Sequence, residues 1–326
     1  MKLSYLDLMT TDPSYNLAME QYVFDCLPRD RMYFMLWQND NAIIVGKYQN
    51  TIAEINEEAV RERGIRVVRR LSGGGAVYHD MGNLNFTFCV RTQDYDLRRQ
   101  QRVIVEACRL LGIPAEISGR NDVLTDGRKF SGNSFYSHDG CSFHNGTLLL
   151  NVDMANLGKY LNPSKAKLES KGVPSVRSRV VNLCEQKPEL SVEMMEKAMI
   201  AAFETVYGCR AEPLCSADFD QRRLHELWEG FSSWDWNYGK MRPFSFSCSA
   251  KFDWGEITLE FAVRDGLCED VSVYTDAMET EFVAPLREGL CACRFAVEDL
   301  CARVRSLPEC GMVAEDLCAL LREQDI

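Results

Sequence analysis

Between residues 32 and 90 the chain is a series of short β-type runs set between two helical stretches, and that order restricts the folds open to it. Short β-type runs at 32–36, 42–45, 65–69, 76–78 and 85–90 are punctuated by Gly46, Gly64, the triple glycine 73–75 and Gly82. Helical spacing brackets them. Upstream, Asp12-Pro13 supplies an N-cap and first-turn residue, and Leu17, Phe24 and Leu27 recur on one face until Pro28. Downstream, Val103, Ala107, Leu110 and Leu111 share a face that stops at Gly112, with Pro114 beyond. Further strands are expected at 115–117, 129–136 and 146–152. Further helices are expected at 191–207, where Ser191 caps a Val192, Met195, Met199, Ala202, Val206 stripe, and at 217–229. A polar, aromatic stretch at 232–243 then reads as a crossing into a second unit, with strands near 250–274 followed by two or three short helices. Interleaved strands and helices in both parts predict an α+β fold: a large mixed-sheet domain at 1–243 and a small α+β domain at 244–326. A length of 326 residues agrees with about two domains.

Composition removes other classes. Apolar residues at 46% and charged residues at 26% suffice for a full core, which excludes wholesale disorder. No apolar run approaches the roughly 18 residues of a membrane-spanning helix, and the N-terminus lacks the apolar core and cleavage site of a signal peptide. The expectation is a soluble cytoplasmic protein with no membrane partner. The 14 cysteines are scattered and form no C-x-x-C pair, so reduced thiols are expected; Cys291 and Cys293 have no histidine near enough in sequence to suggest zinc.

The net charge of -11 is uneven. Residues 1–180 carry 23 Lys+Arg against 20 Asp+Glu, a balance of +3, while 181–326 carry 14 against 28, a balance of -14. Chemistry directed at anions therefore belongs to the first half. The acidic whole argues against a nucleic-acid partner, which would need a broad basic surface.

Residues 69–80, RRLSGGGAVYHD, are the most informative segment. Two cations lead into three glycines, whose backbone can wrap a ligand and present successive N–H groups as an anion nest, with Arg70 available for a bidentate phosphate contact. No Gly-Lys-Ser/Thr follows and no G-x-G-x-x-G spacing occurs, so this is neither a Walker loop nor a dinucleotide fingerprint. A glycine-rich turn beside a solvated arginine pair would satisfy the same residues.

In the segment 119–132, GRNDVLTDGRKFSG, Asp126-Gly127 is a strong hairpin signal, and Asp122 and Lys129 can face each other across it. Such a pair suits Mg²⁺-nucleotide chemistry: the carboxylate holds the metal and the lysine neutralises a phosphate and a developing oxyanion. In isolation it would be a surface ion pair worth under about 1 kcal/mol. Next, 144–152, HNGTLLLNV, reads as a polar turn feeding a buried strand. Finally, 165–179 carries five cations, Lys165, Lys167, Lys171, Arg177 and Arg179, against Glu169. That is either a solvated basic face or a docking surface for an acidic protein.

Taken in this order, RRLSGGGAVYHDMGNLNFTF, GRNDVLTDGRKFSGNSF, HNGTLLLNVD and YLNPSKAKLESKGVPSVRSRVVNL closely resemble the bacterial lipoate-protein ligase A family. LWQNDNAIIVGKYQNTIAEIN matches earlier in the chain, and SWDWNYGKMRPFSF resembles the entry to the family's accessory domain, so nearly the whole chain is covered. The resemblance implies the biotin/lipoate ligase type of catalytic domain and an ATP-dependent enzyme that adenylates lipoate, then passes the lipoyl group to one lysine of a carrier domain. It implies that Arg70, Gly75, Ala76, Val77 and Tyr78 bind the nucleotide, and that Ser72, Gly73, Gly74 and His79 contact lipoate. Lys129 would contact both the lipoate carboxyl and the α-phosphate as the catalytic residue, with Asp122 near Mg²⁺. The implied cofactors are ATP and Mg²⁺, with lipoate as substrate, and the implied partners are glycine cleavage H protein and the E2 subunits of 2-oxoacid dehydrogenases. The chain departs from the family where Asn145 replaces a usual second histidine and where Asn133-Ser134 replaces a small pair.

Three other functions compete. An octanoyl or lipoyl transferase would need an activated cysteine; Cys141 lies nearest, but its Ser-His-Asp-Gly-Cys-Ser setting does not resemble the transferase motifs. A biotin ligase would need a Gly-Arg-Gly-Arg style loop, which is absent. A silent lipoate-binding protein would not require both Arg70 and Lys129.

Overall fold

A computed structural model of the chain describes residues 1–119, 121–162, 180–239 and 243–324. They form two compact units: Met1–Val45 with Glu54–Leu71 and Ala76–Asn237, and Gly46–Ala53 with Ser72–Gly75 and Tyr238 onward. The second unit thus draws in two segments from the first half of the chain, a feature that no single cut in the sequence expresses.

In the first unit, β1 (Lys2–Asp7), β2 (Arg31–Trp37), β3 (Ala42–Val45), β4 (Arg66–Arg69), β5 (Val77–His79) and β6 (Asn83–Arg91) come first. They are followed by β7 (Glu116–Ser118), β8 (Asp122–Thr125), β9 (Arg128–His138), β10 (Cys141–Leu149) and β11 (Ala211–Pro213). Eight of these make one mixed sheet in the order β11-β1-β2-β6-β10-β9-β8-β7, and three make a small sheet in the order β4-β3-β5. One face of the large sheet buries Phe34, Phe86, Phe88 and Phe130 against the helices Leu97–Leu110 and Val192–Tyr207. The other packs Met35, Trp37, Cys89 and Phe143 against the helices Pro13–Cys26 and Gln221–Ser232.

Local chemistry sets the helix ends. Asp12 accepts the backbone N–H groups of Ser14 and Tyr15 ahead of Pro13, and Ser191 accepts that of Met194. Gly208 ends the second of these helices at φ +71°, a conformation glycine adopts without steric cost. The helix expected from 217 starts instead at Gln221, because Asp220 takes the cap and 216–218 forms a separate turn.

The main difference from the sequence reading lies in β10. The segment from Cys141 to Asn145, read as turn, is strand, because β6 and β9 pair with it on both sides and satisfy its backbone. The strand Lys2–Asp7 and the helices Glu57–Arg63, Met154–Tyr160 and Trp234–Tyr238 carry too little periodicity to be expected. The basic segment 165–179 lies outside the described residues.

The second unit contains β12 (Phe246–Phe252), β13 (Gly255–Arg264) and β14 (Leu267–Thr275) as an antiparallel meander. Helices Val283–Leu290, Val297–Ser306 and Ala314–Arg322 cover one face and bury Ile257, Phe261, Leu286, Leu300 and Leu317. Among the described residues no helix is long and apolar enough to cross a membrane, and no group of three or more His, Cys, Asp or Glu could hold a metal ion.

Candidate active site

The hairpin β8–β9 turns through Asp126 at φ +48° and Gly127 at φ +70°, the two left-handed residues of a type I′ turn. Pairing runs Thr125 with Arg128 and Leu124 with Lys129; the register then shifts at Val123/Leu124, so that Asp122 pairs with Gly132. The irregularity brings Asp122 within reach of Lys129 although the two are not directly opposite. Lys129 Nζ lies 2.7 Å from Asp122 Oδ1, with the side chains 37% and 39% exposed. The Lys129 backbone is pinned as well, its carbonyl accepting the Val181 N–H at 2.9 Å. Its stem passes over Gly132, where an added Cβ would come within 3.1 Å of Lys129 Cε and Nζ.

Behind this pair lies a buried polar chain. The carbonyl of Asn121, next to Asp122, accepts both the backbone and side-chain N–H of Asn133, at 2.9 and 2.7 Å. Asn133 Oδ1 lies 2.7 Å from His144 Nε2, and His144 Nδ1 lies 3.1 Å from Gln100 Oε1. Burial pulls the His144 pKa down to about 3, so the ring is neutral at neutral pH and can donate from only one nitrogen. Turning the Gln100 amide lets its otherwise unpartnered Nε2 donate to Nδ1, while Nε2–H of His144 donates to Asn133.

Arg70 follows β4. Its backbone N–H donates to Val45 and its guanidinium to the Ile44 carbonyl at 3.2 Å, and it is only 7% exposed. Burial brings its pKa down to about 10, against the opposing pull of the Glu20 carboxylate. Glu20 is equally buried. Its Oε1 accepts from Thr87 Oγ1 at 2.6 Å and Asn145 Nδ2 at 3.0 Å, its Oε2 has no hydrogen-bond partner, and burial raises its pKa. His79 completes the group. Burial, with the Arg70 charge adding to it, holds its pKa near 3; Asn39 Nδ2 lies 3.1 Å from its Nδ1, and its Nε2 has no hydrogen-bond partner. Glu20 and His79 thus each keep one buried polar atom without a hydrogen-bond partner.

Glu20 was missed by the sequence reading. Its signal was a carboxylate on the Leu17, Phe24 face, the side of the helix that packs into the core. Arg69, by contrast, does structural work: its guanidinium donates to the Trp236 and Asn237 carbonyls at 2.9 and 3.0 Å, and Trp236 Nε1 donates to its carbonyl at 2.9 Å.

Tyr78 and His79 sit on β5, paired with Ile43 and Ala42 of β3. The Tyr78 hydroxyl donates to Asn41 Oδ1 at 3.2 Å. Ala76 and Val77, just before, are partly exposed.

Ser72–Gly75 belong to the second unit. There the Ser72 carbonyl accepts the Lys47 N–H at 3.0 Å, and Gly74, at φ +93°, donates its N–H to the Ala277 carbonyl at 3.0 Å. A Cβ at Gly73 would meet the Ala277 oxygen at 2.4 Å, so backbone approach explains that glycine. The nest expected of this loop therefore has one of its amides already committed. Cys141, weighed as a nucleophile in a turn, is instead a buried strand residue against Cys89, at a sulfur–sulfur distance of 3.6 Å.

Residues 12–204 match the family of lipoyl protein ligase A/B catalytic domains, and 242–321 match the bacterial lipoate protein ligase C-terminus. The lipoate-protein ligase A of Psychrobacter cryohalolentis is 37% identical over 315 residues, covering 94% of this chain and 93% of that protein. That of Blochmanniella pennsylvanica is 36% identical over 276 residues, 82% and 81% of the two. Among solved structures, P. falciparum LipL1 in complex with lipoate superposes with a TM-score of 0.85 at 25% identity, covering 98% of this chain and 99% of that one. A bi-partite lipoate protein ligase from Thermoplasma acidophilum, described with its E2 lipoyl domain, covers 74% of this chain and 98% of its own at a TM-score of 0.66 and 26% identity. By sequence along nearly its full length and by fold, the chain belongs to the lipoate-protein ligase A family.

Proposed function

We infer that this chain is an ATP-dependent lipoate-protein ligase, which activates lipoate as lipoyl-AMP and transfers the lipoyl group to a lysine of a carrier domain. The observation that carries the residue assignment is the Lys129–Asp122 pair: an ammonium fixed by a turn, a bulge and a backbone bond, yet still more than a third exposed. Attack of the lipoate carboxylate on the α-phosphate concentrates negative charge, and a preorganised lysine offsets that charge without reorganisation in the transition state. Lys129 contacts both reacting groups and moves from its carboxylate partner onto the substrates. Arg70 supplies a second fixed positive charge. Gly75, Ala76, Val77 and Tyr78 bind the nucleotide, while Ser72, Gly73, Gly74 and His79 contact lipoate.

Mg²⁺ is usually bound by one or two carboxylates together with substrate phosphates, and the single carboxylate of Asp122 fits that demand. The metal would neutralise phosphate charge, and Asp122 is the residue that would hold it once Lys129 has turned to substrate. The carriers are lipoyl domains of E2 subunits and the glycine cleavage H protein.

The test is pyrophosphate exchange into ATP that depends on lipoate, followed by mass spectrometry of an apo E2 lipoyl domain and apo H protein after incubation. Exchange together with a lipoyl mass increment supports the reading. Transfer from an acylated carrier without ATP would replace it with a transferase.

A further inference from the structure

Cys89 on β6 and Cys141 on β10 are not used by the ligase reaction, and they lie on adjacent antiparallel strands. The register pairs Cys89 with Phe143 and Cys141 with Arg91, so the two cysteines are diagonal neighbours on one sheet face. Their sulfurs are 3.6 Å apart. A small cleft of about 10 Å³ reaches both, walled in part by Arg29, Arg31, Tyr33 and Arg91. At no more than about one water in size, the cleft keeps a bulky thiol from the sulfurs.

We propose that Cys89 and Cys141 form an oxidant-modified dithiol site, which a small hydroperoxide such as hydrogen peroxide converts to a disulfide within the folded protein. The chemistry takes two balanced steps. The Cys141 thiolate attacks one peroxide oxygen, the O–O bond breaks, and Cys141 becomes a sulfenic acid as hydroxide leaves. The Cys89 sulfur then attacks the Cys141 sulfur, the S–O bond breaks, and the hydroxyl leaves as water with the proton of Cys89.

The surroundings decide which thiol reacts first. The Cys89 thiol, donating toward Cys141, pulls the Cys141 pKa down and its own up, and the Arg29 guanidinium adds to the fall at Cys141. The Cys141 thiol donates to the Val90 carbonyl at 3.3 Å, which favours its protonated form. In another close pair, the thiols of Cys301 and Cys318 each also donate to the other residue's backbone carbonyl, at 3.8 and 3.7 Å.

The test uses the full-length, fully reduced protein, exposed to hydrogen peroxide in native buffer and then to a thiol-alkylating quench, digestion and peptide mapping. The expected result is a Cys89–Cys141 cross-linked peptide formed with unchanged circular dichroism and returned to two thiols by dithiothreitol. Cys89→Ser should give instead a Cys141 sulfenic acid that dimedone traps. Recovery of both cysteines as separate alkylated thiols from oxidised, still folded wild type would overturn the proposal, as would a cross-link that forms only in urea. The wild-type map decides the matter even if a serine variant fails to fold.

Discussion

Lys129 Nζ and Asp122 Oδ1 are 2.7 Å apart, yet both side chains keep more than a third of their surface exposed. An ion pair so placed adds under about 1 kcal/mol to stability, which frees the lysine to change partners. Lys129→Ala should therefore leave the melting temperature nearly unchanged while removing roughly 3 kcal/mol or more of transition-state stabilisation. Lipoate-dependent pyrophosphate exchange alongside a thermal melt measures both. Wild-type exchange in the variant would end the assignment.

Gly132 offers a way to disturb Lys129 without altering it. A methyl group there meets only the flexible end of the lysine, at 3.1 Å, so Gly132→Ala should displace the ammonium at little cost in folding. Relief of that contact needs a few tenths of an ångström, so the rate should fall by less than the roughly 100-fold of a 1 Å misplacement. Exchange kinetics should show kcat falling, with urea midpoints close to wild type. The neighbouring Gly146 is a contrast: its Cβ would strike the Gly132 carbonyl and Phe86 at 2.6 Å, and Gly146→Ala should destabilise by about 1–3 kcal/mol.

Arg70 and Glu20 are both buried, and each charge is tuned by the other. Removing one takes away a charge that offsets the burial of the other, so either single change should cost stability. Arg70→Met should be destabilised, and Arg70→Met/Glu20→Gln should regain much of that stability without regaining adenylation. Chemical denaturation with exchange assays on all three variants tests this. Recovery of activity in the double variant would confine Arg70 to a structural role.

Acid should weaken the fold through its histidines. His79 and His144 are both held near pKa 3 by burial, below the unfolded value of about 6.5. Between those values the unfolded chain binds protons that the folded chain refuses, so stability is complete above about pH 6.5 and falls as pH drops toward 3, by up to about 1.4 kcal/mol per pH unit for each group. Glu20 works in the opposite sense, because its raised pKa lets the folded state take up a proton first. Urea midpoints at a series of pH values should therefore show a shallower acid loss in His79→Gln and a steeper one in Glu20→Gln.

The hairpin that holds Asp122 and Lys129 could be read because its signals are local. A type I′ turn needs only Asp126-Gly127, and that turn brings β8 and β9 side by side, while the register shift at Val123/Leu124 then carries Asp122 to Lys129. The helix Val192–Tyr207 is equally self-contained, with its Ser191 cap, its apolar stripe and its terminal Gly208. The Glu20, Arg70 and His79 group joins a helix, the residue after β4 and a strand of the small sheet, and its charges are set by burial that no spacing encodes. The β10 strand was masked by its own polar residues, since His144 and Asn145 look like turn until Gln100, Asn133 and Glu20 arrive to satisfy them. Cys89 and Cys141 became a pair only through the β6–β10 register. Local turn and cap chemistry is carried by residues close in the chain, whereas the pKa of a buried group and the partner of a strand belong to contacts that exist only after the sheet has closed over them.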